Sequence, residues 1–305
     1  MTPAGSIGQL VCGYDRIGLW YDRPLPAEHL WKFRHRRSSS KYYKHVYFHP
    51  VARMYILTGL RHQSLPHAMI NLNLGAMSAR EATTLLTSLG VDMDKLLVGN
   101  VEARIDIMPG PGLTLKDLSS CLLVDRIRHV DLKRYEGQTV YFGSRRSNRQ
   151  VTNYDKALQA RLPHPCLRLE VRLKAHRLWK LSFTEFLEQG LPVNPFSGVH
   201  LVDTSWLDGR TLEARLLRTN GVMAALRSKA LSRYRKQRLR KKLLENVLFD
   251  LQAAFEDFTR CWHTGGNGGS AAGNATTARQ LPKAAVLPDA PPAELASSQT
   301  PFTSM

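Results

Sequence analysis

Short stretches in which apolar and polar residues alternate fill much of the first two-thirds of the chain. Segments 45–49, 53–59, 67–74, 101–108, 138–142, 149–156 and 167–174 combine β-branched or aromatic residues with flanking turn formers, and each predicts a strand. Helical periodicity interrupts them in three places. Ser78-Ala-Arg-Glu81 is a capping box, followed by Leu85, Leu86 and Leu89 on one face and stopped by Gly90. Ser182-Phe-Thr-Glu185 repeats the device, with Phe186 and Leu187 behind it and Gly190 at the end. A less regular helix is predicted over 115–127, after the Pro-Gly-Pro-Gly breaker at 109–112. Runs of strands with a few helices between them predict an α+β fold: a mostly antiparallel sheet with helices on one face.

The pattern changes after about residue 205. A helical region is predicted to begin at Thr211 and to break near Gly221. From Leu244 onward, Val247, Leu248, Leu251, Phe255, Phe258 and Trp262 recur at spacings of three and four, a stripe that packs on the body or on another subunit. From Thr264 the chain holds one aromatic residue, Phe302, among many Gly, Ala and Pro, which predicts a disordered tail. The expected organisation is an α+β body over 1–205, a helical region over 206–263 and the tail over 264–305.

Charge sharpens this picture. The 305 residues carry 43 Lys and Arg against 25 Asp and Glu, a formal net charge of +18. Such an excess costs self-repulsion, and a polyanion, most often nucleic acid, is the usual partner that relieves it. Segment 227–242 holds nine cations and no acid, half of the excess, whereas the tail is neutral. No apolar run approaches the ~18 residues of a membrane span, and the first residues lack the layout of a signal peptide. A soluble protein of the cytoplasm is expected. Cys12, Cys121, Cys166 and Cys261 lie far apart without zinc spacing and read as reduced, mostly buried thiols.

Three strands place charge on one sheet face. In 101–107, Arg104 and Asp106 oppose Ile105 and Ile107; in 167–174, Arg168, Glu170, Arg172 and Lys174 oppose four aliphatics. In 150–156, Tyr154 and Lys156 share a face if the segment is extended, although a helical start at Asn153 is an alternative. The chemical reading is an open basic face holding two isolated carboxylates beside a tyrosine. Asp106 and Glu170 suit a hard cation, Mg²⁺ or Mn²⁺, which would polarise a phosphoryl group. Tyr154 is a candidate nucleophile whose phenolate the Lys156 ammonium would favour. The plainer reading of alternating charges is a solvated strand face.

The order of these segments adds information. E-A-R-I-D-I (102–107), T-V-Y-F-G-S-R-R-S-N-R (139–149), N-Y-D-K (153–156) and L-R-L-E-V-R-L-K (167–174) form a succession that resembles the rolling-circle replication initiators of filamentous phages, the gene II protein family, and the related trans-acting plasmid initiators. Leu65-Pro-His-Ala-Met-Ile resembles that family's upstream element, and the resemblance covers roughly residues 60–190. It implies that Tyr154 attacks a phosphodiester at the origin, forming a 5′-phosphotyrosyl link and freeing a 3′-hydroxyl for a host polymerase. It assigns Lys156 to the lysine two residues on and Asp106 and Glu170 to the acidic positions. Origin DNA, duplex and single strand, and a host helicase and polymerase are the partners implied. One departure is Gln159, where family members often have Glu. No His-hydrophobe-His metal motif is present, which disfavours the other large class of rolling-circle nucleases.

Further DNA contacts are expected from Arg145, Arg146 and Arg149 in the turn before Tyr154, from Arg168, Arg172 and Lys174, and from Arg233, Arg235, Lys236, Arg238 and Arg240 in the basic segment. His45 and His49 read as surface or satisfied histidines, and Trp20, Trp31, Trp179 and Trp206 as core rather than stacking platforms. The competing function is a non-catalytic repressor or single-strand binder. Acids on a basic face favour the enzyme, because a binder has no need of them.

Overall fold

Alternation in the first two-thirds of the chain resolves into one large antiparallel sheet. The computed structural model describes residues 8–263 apart from 32, 39, 50, 52, 53, 126–138, 145, 146, 175–177 and 179. The tail predicted from 264 onward, together with Arg145, Arg146 and Trp179, lies outside the described residues.

The sheet opens with β1 (Gln9–Tyr21), β2 (Arg34–Arg37), β3 (Tyr43–His49), β4 (Met54–Leu60) and β5 (Ala68–Asn73). Helix α1 (Ala79–Ser88) leads to the long β6 (Leu96–Met108), and α2 (Leu115–Ser120) to the short β7 (Leu122–Val124). The hairpin of β8 (Val140–Phe142) and β9 (Arg149–Asp155) precedes α3 (Lys156–Ala160), β10 (Leu167–Lys174), α4 (Phe183–Gln189) and β11 (Val199–Val202). The chain continues through α5 (Leu212–Asn220), α6 (Val222–Arg227), α7 (Arg233–Glu245), β12 (Val247–Phe249) and α8 (Leu251–His263). Among the described residues the main sheet has nine strands in the order β2-β3-β4-β5-β1-β6-β10-β9-β8, and β12-β11-β7 form a small second sheet. No described helix is long and apolar enough to cross a membrane.

All seven strands and both capped helices expected from the pattern are present. Ser78 and Ser182 each accept from the backbone N–H three residues on, while Glu81 and Glu185 accept from the cap backbone, so both capping boxes close. Three expectations need correction. The helix expected over 115–127 stops at Ser120, and Leu122, Leu123 and Val124, all buried, become β7 instead. A run apolar on both sides suits a covered strand better than a helix with one wet face. The C-terminal stripe is likewise two elements. α7 ends at Glu245 with Asn246 as its C-cap, Val247–Phe249 pairs with β11, and the amphipathic helix starts only at Leu251.

The third correction concerns β1, a strand the pattern does not announce although it lies between β5 and β6 near the centre of the sheet. Its register on β6 shifts between Tyr14 and Arg16 and again between Gly18 and Leu19, so its two-residue period breaks twice. Gly18 is required by close approach: a Cβ there would collide with the Asn100 amide, and one on Gly99 with the Trp20 indole.

One face of the sheet carries the core. α1 buries Ala82 and Leu86, α4 buries Phe183 and Phe186, and α8 buries Leu251 and Phe255 against strand residues such as Ile17, Ile56, Ile70 and Ile105. Tyr14 centres the aromatic packing, with the rings of Phe186, Phe255, Phe258 and Trp262 all meeting it edge-on at 5.0–5.6 Å. A smaller cluster joins Leu217, Val222, Ala225, Leu239 and Leu243 of α5–α7 to Leu123 and Val202. Cys121 and Cys166 are buried free thiols, while Cys261 is exposed.

Phe186→Ala should cost about 3–5 kcal/mol, since it empties a fully buried site against the rings of Tyr14, Phe183, Trp262 and His263. Val247→Ala, outside the buried stripe, should cost about 0.5 kcal/mol or less. Urea denaturation of the two variants checks the contrast.

Candidate active site

The opposite face of the sheet is where the sequence places its chemistry, and strand register decides what meets what. Three rungs cross β6, β10 and β9: Asp106–Arg168–Tyr154, Arg104–Glu170–Thr152 and Glu102–Arg172–Gln150. Each β6 residue therefore stands opposite a β10 residue of the other sign, the arrangement in which cross-strand charges attract. The face is a checkerboard rather than a basic field with two isolated acids. The sequence reading missed Glu102 and Asp15 as members. Asp15 sits at the β1 bulge, where a change of parity turns its carboxylate onto this face.

Arg168 is the centre of the lattice. It is 4% exposed, and its Nε and Nη2 donate to the two Asp106 oxygens at 2.5 and 2.7 Å. Its Nη1 lies 3.5 Å from Asp15 Oδ1 and 3.9 Å from Glu170 Oε1. Arg104 Nη1 reaches the same acids from the other side, 3.7 Å from Asp15 and 3.9 Å from Asp106. Arg172 pairs with Glu102 through Nε at 2.6 Å.

Tyr154 is part-buried at the end of β9, and its hydroxyl donates to Glu170 Oε1 at 2.5 Å. Burial, and then the Glu170 carboxylate, push the phenol well above its ordinary range, with Arg168 opposing. Burial also raises the Glu170 carboxyl, only partly offset by the Tyr154 hydrogen bond. This corrects the expected Tyr154–Lys156 partnership. Asp155 caps α3 by accepting from Leu158 N–H, so Lys156 is the first residue of a helix, and its ammonium donates to Gln159 Oε1 at 3.0 Å. Burial, and then Arg168, lower the Lys156 pKa. The Tyr154 proton, already directed at Glu170, can leave the hydroxyl as an attacking oxygen forms.

The other residues singled out from the sequence are spread more widely. Arg149 lies on the covered side of β9, and its Nη2 donates to the Pro195 and Ser197 carbonyls at 2.9 and 2.7 Å. That placement ties β9 to the segment before β11 rather than presenting a phosphate clamp. Lys174 continues the β10 row opposite Asn100. On α7, Arg235 forks onto Glu213 at 2.7 and 2.6 Å, and Arg240 onto Asp125 at 3.0 and 2.8 Å. Arg233 and Arg238 are exposed on the same helix, and Lys236 is half-buried between them. His45 bonds to His35 at 3.1 Å and His49 packs on Phe33, both remote in register from Tyr154. Trp206 is anchored to the Asp203 carbonyl, but Trp20 is 36% and Trp31 75% exposed, contrary to the core expectation.

The carboxylates fit a divalent cation poorly as they stand. Both Asp106 oxygens accept from a guanidinium, Glu170 Oε1 accepts from Tyr154, and no three His, Cys, Asp or Glu residues form a metal-binding group among the described residues. Arg168 supplies the positive charge that Mg²⁺ or Mn²⁺ would bring to Asp106.

Arg168→Ala should destabilise the protein by about 3–5 kcal/mol, because it leaves Asp106 buried without its paired hydrogen bonds and with only the more distant Arg104. Arg235→Ala, at a half-exposed pair on α7, should scarcely move the denaturation midpoint. Equal losses in urea melts would contradict the assignment of Arg168 as the lattice centre.

No protein-family model matches the chain, and no curated protein matches its sequence. Among solved structures the chain is similar to a rolling-circle replication initiator protein from Geobacillus stearothermophilus, with 14% identity and a TM-score of 0.41 over 66% of this chain and 90% of that one.

Proposed function

We propose that this protein initiates rolling-circle replication by nicking one strand of double-stranded origin DNA with Tyr154. The observation that carries the reading is the Tyr154–Glu170 hydrogen bond, set beside Arg168 and Lys156 on a sheet face of a strongly cationic chain. The ordered motifs that resemble phage and plasmid initiators support it. A solvated strand face gives no reason for a phenol to be part-buried against a carboxylate.

In the proposed reaction the Tyr154 oxygen attacks the scissile phosphorus while its proton passes to Glu170. The bond from phosphorus to the 3′-oxygen breaks as the bond to tyrosine forms, leaving a 5′-phosphotyrosyl link. The departing 3′-oxygen takes up a proton and becomes the primer end for a host polymerase, with a host helicase separating the strands. Attack of a 3′-hydroxyl on the phosphotyrosine reverses these bonds, reseals the displaced strand and returns the proton to Tyr154. The Nη1 edge of Arg168 and the Lys156 ammonium stabilise charge on the pentavalent phosphorus. A divalent cation enters this scheme only by displacing Arg168 from Asp106, and no step is assigned to it. Arg233, Lys236 and Arg238 on α7 hold the duplex through its phosphates, whereas Arg235 and Arg240 are primarily braces within the protein.

With supercoiled DNA carrying the cognate origin, Tyr154→Phe should abolish nicked circles and covalent adduct while binding stays within about twofold. A Phe variant that still nicks and becomes attached would refute the nucleophile. Glu170→Gln should slow nicking by about 10²–10⁴-fold. Because the Glu170 pKa is raised, the wild-type rate should climb with pH through a value above the ordinary glutamate range. A pH–rate profile that keeps this limb in Glu170→Gln would contradict the proton assignment. Replacing Lys236 and Arg238 by Ala should reduce the salt slope of duplex binding by about one per residue.

A further inference from the structure

We propose that the half of the open face remote from Tyr154 is a stacking track for unpaired nucleotides, a subsite that rests on the nicking reading for its purpose but not for its chemistry. A second cross-strand rung shares the face: Arg34 on β2, Phe48 on β3, Tyr55 on β4, Asn71 on β5 and Gly18 on β1 are successive partners. Their alternate neighbours Met54, Ile56, Ile70 and Leu72 are buried in the core, which places the rung on the opposite, open side. Direct cross-strand neighbours stand about 5 Å apart, so a guanidinium, two rings and an amide follow one another across the sheet.

Both rings are displayed, Phe48 at 39% exposure and Tyr55 at 36%. Beside them the Asn71 amide is 9% exposed, and its Nδ2 is buried without a hydrogen-bond partner. A buried donor left unpaired is costly, and turning the amide toward a base stacked over Tyr55 would give it an acceptor. Arg34 and Arg36, both exposed, line the edge strand, whose sequence Arg-His-Arg-Arg contains no acid. Rings on a flat face accept bases, guanidinium groups accept phosphates, and only an unpaired strand offers both at once. The charge along β2 therefore selects single-stranded DNA over an apolar protein partner.

The test uses the full chain carrying Tyr154→Phe, so that binding is read without cleavage, and a labelled oligonucleotide of about 16 nucleotides, single-stranded or as duplex. Phe48→Ala and Tyr55→Ala should each weaken single-strand binding about tenfold and duplex binding by less than twofold. Phe48→Tyr and Tyr55→Phe, which keep the rings, should restore affinity, and Arg34→Ala should lower the single-strand salt slope by about 0.7. Unchanged single-strand affinity in the Ala variants with unaltered melting curves would overturn the track, as would an equal loss on duplex. These outcomes are independent of which residue cuts: silent rings with an active Tyr154 overturn the track alone, and an inactive Tyr154 with responsive rings overturns nicking alone.

Discussion

The buried pairing of Arg168 with Asp106 is the interaction on which the open face depends. A guanidinium in that position must be neutralised, and two parallel hydrogen bonds to Asp106 do so with fixed geometry. Once Arg168 is fixed, its remaining edge draws in Asp15 and stands near Glu170, and Arg104 closes the pattern from β6. Tyr154 then has one polar neighbour suited to its proton. The lattice holds Glu170 where it can accept from the phenol.

Net charge alone describes this surface poorly. The protein as a whole carries +18, yet the central strands interleave acids and bases almost one for one. Cations without acidic neighbours in register gather at two margins, the edge strand β2 and the outer side of α7. In the proposed reaction a polyanion would be held at the margins, and the scissile phosphate would meet a finely balanced centre. Such a division separates affinity, which salt weakens, from chemistry, which burial protects.

Much of the fold was legible in the sequence because most of its strands keep a two-residue period and α1 and α4 open with complete capping boxes. β1 escaped because two register shifts and two glycines erase the period in the strand that needs them most. Segments 122–124 and 247–249 escaped because short apolar runs beside helices look helical until a partner strand is known. At the site, Asp106, Tyr154, Arg168 and Glu170 were visible as alternating positions. Their pairing was not, since register is a long-range property that sets Tyr154 opposite Arg168 and diagonal to Glu170. Asp15 had no spacing signal; only the broken alternation around Gly13 and Arg16 marked the place.

The central claim is that Tyr154 carries the DNA between cleavage and resealing. Mass spectrometry of the protease-digested adduct formed on origin DNA tests it most directly. The account predicts a nucleotide-bearing peptide whose modified residue is Tyr154, its mass fitting a phosphotyrosyl ester. A modified residue elsewhere in the chain, or efficient nicking with no adduct at all, would contradict it.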